Sequence, residues 1–79
     1  MTFLIDYDRR KGRLVSIKRF KEDQVEEAKN LRLQLELSLG DAREWREVVL
    51  LDALDEEALR RTHRRYFEKL SELAEPAKA

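Results

Sequence analysis

The chain has no cysteine, so neither a disulfide nor a thiolate metal site can brace it. One histidine, His63, leaves too few ligands for an imidazole metal site, and no metal or cofactor is expected. Two glycines, Gly12 and Gly40, exclude a glycine-rich phosphate loop. The only proline is Pro76, so little punctuates the chain before its end. Long hydrophobic runs are missing as well. The longest is Val48-Val49-Leu50-Leu51, far short of a bilayer span. The opening run Phe3-Leu4-Ile5 is too short for a signal peptide, which makes a cytoplasmic location the expectation. No repeat and no low-complexity segment stands out.

Charge is what the chain has in quantity, at 43% of its 79 residues. A chain of this length forms one domain and buries only about 60–65% of its unfolded surface. Its core must come from packing, shared with a partner where one is present. Net charge is zero, but the charges are sorted. Residues 9–21 carry seven bases and no acid, residues 22–59 twelve acids against four bases, and residues 60–65 four arginines. A neutral total argues against strong general affinity for nucleic acid, while the blocks still allow a local basic face.

Residues 2–20 read as a β-hairpin. Phe3, Ile5 and Tyr7 alternate with polar neighbours and with Leu4, and Val15 and Ile17 continue the period of two. A three-residue loop Arg10-Lys11-Gly12, with the glycine left-handed, pairs Tyr7 with Val15 and Ile5 with Ile17. That register puts Phe3, Ile5, Tyr7, Val15 and Ile17 on the core face, and Leu4, Asp6, Asp8 and Leu14 on the other.

Residues 22–39 read as a helix despite the alternation of Leu31, Leu33, Leu35, Leu37 and Leu39. Leu, Glu, Gln, Arg and Lys are helix formers, and no β-branched residue appears between Val25 and Val48. The main stripe is Val25, Ala28, Leu31, Leu35 and Leu39. Leu33 and Leu37 form a second ridge rotated away from it. Gly40 suits the C-terminal cap. Asp41 to Glu44 resembles a capping box that starts a short turn carrying Trp45, expected to lid the core. Val48–Leu51, bracketed by Glu47 and Asp52, reads as a strand buried on both faces. The rival is one long helix over 41–73. Residues 55–74 read as the last helix, capped by Asp55, with Leu59, Thr62, His63, Tyr66, Leu70 and Leu73 in its buried stripe and Phe67 beside it.

The expected fold is α+β, a small two-layer domain of order β-β-α-β-α. Its three-stranded sheet has order 2-1-3, and both helices cover the face carrying Phe3, Ile5 and Tyr7. The domain spans residues 1–75, with 76–79 a frayed tail. The run Glu47-Val48-Val49-Leu50-Leu51, together with Glu56 to His63 and Arg65-Tyr66-Phe67, resembles small bacterial proteins of uncharacterised function. The resemblance lies mainly in residues 47–67. It implies a strand followed by a helix, and no activity.

Two surfaces are candidates for function. Leu4, Leu14 and one pair from Val48–Leu51 would leave an apolar strip on the open sheet face. With the ridge Leu33 and Leu37, this points to a dimer or protein contact. Arg60, Arg61, Arg64 and Arg65 share helix faces in pairs, and Arg10, Lys11 and Arg13 would join them in a nucleic-acid contact. Asp6 and Asp8 could offer oxygens to Mg²⁺, but a pair that balances Arg9, Arg10 and Lys18 is the stronger reading. His63 has no nucleophile beside it in any motif, so no catalytic residue is assigned and no enzyme is expected. The leading reading is a protein-interaction module, self-associating as a homodimer, with nucleic-acid binding as the alternative.

Overall fold

A computed structural model describes residues 1–68 of the chain. Three strands form one sheet: β1 (Thr2–Asp8), β2 (Arg13–Phe20) and β3 (Arg46–Asp52). Helix α1 (Val25–Leu39) joins β2 to β3, and helix α2 (Glu56–Thr62) follows β3. Short 3-10 turns occupy Glu22–Gln24, Gly40–Glu44 and Arg64–Tyr66. The order is β2-β1-β3, with β1 antiparallel to both neighbours. The α+β class, the 2-1-3 order and the Val48–Leu51 strand are as the sequence implies.

The centre of the sheet is β1, not the Val48–Leu51 run. Every residue of β1 is buried, whereas β3 is an edge strand of half-buried residues. Its alternation sorts Phe3, Ile5 and Tyr7 to one face and Thr2, Leu4, Asp6 and Asp8 to the other.

Each face has its own helix. Leu59 of α2 and Tyr66 pack on Phe3, Ile5 and Tyr7. Ala28 of α1 packs on Leu4 and Phe20, with Leu31, Val48 and Leu50 around it. The two helices therefore do not share one face, and the sheet lies between them. The cause is in β3, whose four apolar residues point alternately to the two faces. Val48 and Leu50 need cover as much as Val49 and Leu51, and one layer of helices cannot supply both.

The hairpin departs from its expected register at one point. Ile5 pairs with Ile17 and Asp6 with Ser16, but a bulge then sets Leu14 opposite Tyr7. The connection is four residues, Arg9 to Gly12, rather than three. Asp8 closes it: its carbonyl accepts from the Gly12 N–H at 2.8 Å and its carboxylate from the Lys11 N–H at 2.9 Å. Gly12 adopts φ +66°, which a side chain would disfavour. The extra residue in the turn is absorbed by the bulge, as is common in edge strands. Leu14 thereby reaches the core and Val15 is left 48% exposed.

Helix α1 settles the leucine alternation as helical, entered through the 3-10 turn at Glu22–Gln24 and ended at Gly40 with φ +57°. Ala28 is buried, Leu31, Leu35 and Leu39 are half-buried, and Leu33 and Leu37 face solvent. Trp45 does not lid the core. It sits half-buried at the hairpin end, with the Arg10 guanidinium 4.0 Å above its ring.

Helix α2 starts as expected, with the Asp55 carboxylate accepting the Ala58 N–H at 2.8 Å. It stops at Thr62 rather than continuing to 74. The Thr62 hydroxyl donates to the Ala58 carbonyl at 3.0 Å, a bond that competes with the helical ladder. His63 then leaves the helical region with φ −126° and ψ 52°, and the 3-10 turn swings Tyr66 onto the sheet. Leu70, Leu73 and Pro76 lie outside the described residues.

Candidate functional site

The arginine cluster, split between α2 and the 3-10 turn after it, is dispersed by its own neighbours. Arg60 meets Glu56 at 3.0 Å and Arg64 meets Glu68 at 3.0 Å, both four residues apart. The Arg60 guanidinium also lies 4.5 Å over the Phe67 ring. Arg65, itself more than half exposed, reaches across to β3 and holds both carboxylate oxygens of Glu47 at 2.6 Å. Arg61 alone of the four is exposed with no carboxylate partner among the described residues. Arg10, Lys11 and Arg13 stay exposed at the hairpin tip.

Glu47 is the hub of a clamp between β3 and the C-terminal 3-10 turn. The Tyr66 hydroxyl donates to its carboxylate beside Arg65. The Tyr66 ring meets Tyr7 edge-on, with centroids 5.3 Å apart, and carries the Arg65 guanidinium at 4.6 Å. Burial pushes Glu47 up, but the bonds from Arg65 and Tyr66 outweigh it and hold the carboxyl below its ordinary range. Burial, and then the bond to Glu47, raise the Tyr66 hydroxyl. The bond to Glu47 also raises Arg65 further above its already high value. These directions mark a charged, closed cluster with no proton poised for transfer near neutral pH.

The acid pair of β1 is likewise occupied. Asp6, 2% exposed, accepts from Arg46 Nε at 2.8 Å and from a second Arg46 nitrogen in a bidentate pair. That bond is the main reason Arg46 is raised. Asp6 thus balances Arg46 rather than Arg9, Arg10 or Lys18. The Lys11 N–H lowers the Asp8 carboxyl against a smaller opposing push from burial. Opposite Asp8 stands Arg13. Among the described residues no group of three or more His, Asp or Glu side chains could hold a metal ion. His63 is half-buried, its ring 6.3 Å from that of Tyr66.

No family model, curated protein or solved structure matches this chain. The expected apolar strip on the open sheet face does not exist, because α1 covers it. Leu4 is only 4% exposed, and Leu14 packs against the opposite core. Neither stands out from the surface as a ridge, Leu4 being buried and Leu14 half-buried. Leu33 and Leu37 do, at 55% and 68% exposed. They lie one turn apart on the solvent side of α1. Along the flank of the same helix, an open groove of about 560 Å³ runs between α1 and β2, with Leu4, Leu31 and Leu35 in its lining. Among the described residues no helix is long and apolar enough to cross a membrane.

Proposed function

We propose that the chain is a non-enzymatic protein-interaction module that pairs with a second copy of itself through α1. The outward ridge Leu33 and Leu37 carries this reading, since two large apolar side chains one turn apart stand more than half exposed. An antiparallel two-fold pairing sets Leu33 of one copy against Leu37 of the other, so the ridge is complementary to itself. Its flanks mix Lys29 and Arg32 with Glu26 and Glu36, and the whole chain has no net charge. Two copies therefore meet without the repulsion that keeps strongly charged proteins apart. The ridge is small beside a standard interface of about 1,600 Å², so the dimer is weak and its population depends on concentration. Sedimentation velocity up to millimolar protein should show a monomer–dimer equilibrium. Leu37→Glu should abolish it without altering the melting temperature measured at a dilution where the parent is monomeric. A wild-type chain that stays monomeric throughout, or a variant that still dimerises, defeats the reading.

Nucleic-acid binding is the second reading. It is supported by Arg10, Lys11 and Arg13, which have no carboxylate partner among the described residues. Fluorescence anisotropy of labelled mixed-sequence DNA and RNA at low and near-physiological salt tests it. Binding that weakens steeply with salt supports it, and no binding at low salt removes it.

A further inference from the structure

Three guanidinium groups from two stretches of chain distant in sequence line one open cavity of about 440 Å³. Arg9 comes from the hairpin turn, Arg43 from the 3-10 turn before β3, and Arg46 from the first position of β3. In the sequence they sit among other charges and share no motif. The fold brings them together by joining the hairpin tip to the start of β3, where the Arg9 N–H donates to the Trp45 carbonyl at 2.7 Å.

Their charges are not equally available. Arg46 is neutralised by buried Asp6, which leaves it a fixed wall. The Arg9 side chain donates to the Glu44 carbonyl, a neutral acceptor, so it is oriented while its charge is kept. Arg43 is exposed and has no carboxylate partner among the described residues. Two acids also reach the cavity, and both are answered from outside it. Glu36 faces Arg32 at 3.4 Å, and Glu47 is held by Arg65 and Tyr66. Arg9 reaches Glu47 only through longer-range attraction. Arg9 and Arg43 are thus the two charges the cavity leaves for something else.

We propose that this cavity binds a small phosphorylated ligand, with Arg9 and Arg43 holding its phosphate group. Two cations suit a phosphate dianion better than a singly charged carboxylate, and guanidinium forks match phosphate oxygens in pairs. Leu39 and Val48 complete the wall and give an apolar substituent on the phosphate a place to rest. The cavity shares Glu36 with the flank of the leucine ridge, but Arg9 and Arg43 lie off α1, so Arg43→Ala tests the site apart from self-association.

The test is a titration of the ¹⁵N-labelled chain with phenyl phosphate at fixed ionic strength, followed by backbone amide shifts. The expected result is saturable shifts confined to residue 9, to residues 36–39 and to residues 43–48. Inorganic phosphate should move the same amides more weakly, and acetate more weakly again. Arg43→Ala and Arg9→Ala should each weaken binding by about tenfold, the loss expected for a charged hydrogen bond. Arg61→Ala, an exposed arginine outside the cavity, should bind as the parent does. Arg43 is exposed, and the same spectra report whether each variant keeps its fold. Shifts that never saturate, or an unchanged affinity in Arg43→Ala, would overturn the site. Acetate binding as tightly as phosphate would overturn the phosphate assignment. A mixed-sequence oligonucleotide that binds far more tightly, and shifts the amides of Arg10 and Lys11 as well, would overturn the small-ligand assignment in favour of nucleic acid.

Discussion

Removing the Tyr66 hydroxyl tests whether the Glu47 clamp holds the C-terminal turn on the sheet. In Tyr66→Phe the ring keeps its edge-on contact with Tyr7, so the change isolates the bond to Glu47. A hydrogen bond to a charged group contributes about 1.5–3 kcal/mol when buried. The Glu47 side chain is 22% exposed, so water recovers part of that, and about 1–2 kcal/mol is the expected loss. Glu47→Gln removes the charge that Arg65 pairs with. The Arg65 side chain is more than half exposed, so this pair adds only about 0.5–1 kcal/mol. Glu47→Gln also weakens the Tyr66 bond, because the amide oxygen still accepts but carries no charge, so the double variant should lose less than the two singles together, with a coupling of about 0.5–1 kcal/mol. Urea denaturation of the four proteins measures it. In a domain this small, 1 kcal/mol also moves the melting temperature by about 4–8 °C. The pH dependence follows from the direction of the Glu47 shift. A carboxyl lowered on folding contributes stability that is fully present above its unfolded value of 4.5 and is lost as pH falls through the lower folded value. The gap between parent and Glu47→Gln should therefore be constant at neutral pH and shrink only below about 4.5. Additive losses, or a gap that closes near neutrality, would refute the clamp.

The bulge in the hairpin predicts opposite outcomes for adjacent residues. Leu14→Ala should cost about 2 kcal/mol because Leu14 packs against the core, while Val15→Ala should stay within about 0.5 kcal/mol. The regular register would reverse the two, and chemical denaturation decides. Asp6→Ala should be among the most damaging changes, at about 3 kcal/mol, because it strands the Arg46 charge against the sheet. The double variant Asp6→Val with Arg46→Leu should recover most of that loss. No recovery would mean that the carboxylate matters for something other than Arg46.

Local spacing was legible throughout the chain, and placement across it was not. Gly12 and the alternation on either side announced the hairpin, and helix-forming composition outweighed the leucine alternation of α1. Asp55, Glu56 and Glu57 marked the start of α2. The bulge is not visible in the sequence, because it depends on whether Asp8 joins the turn, and either loop length satisfies the local preferences of these residues. The side of the sheet that α1 takes was hidden for a related reason. Period two separates the faces of a strand but does not say which helix covers which. A cue was present in the apolar pairs Val48 and Leu50, Val49 and Leu51, which together require cover on both faces.

The same division runs through the charges, and there it decides where function should be sought. Glu56 with Arg60 and Arg64 with Glu68 are four apart and could be paired on paper, which already weakens a phosphate-binding role for the arginine run. Arg65 with Glu47, and Arg46 with Asp6, are eighteen and forty residues apart, and only the folded sheet joins them. With the two local pairs and the Arg65–Glu47 pair formed, the crowded basic block at 60–65 retains a single exposed arginine without a carboxylate partner among the described residues. Arg9 and Arg43, each unremarkable in its own stretch, keep their charges beside a cavity. Density of like charge along a chain is thus a poor guide to a binding site in a molecule this highly charged. What matters is which charges the fold leaves unanswered, and those are set by contacts between distant residues.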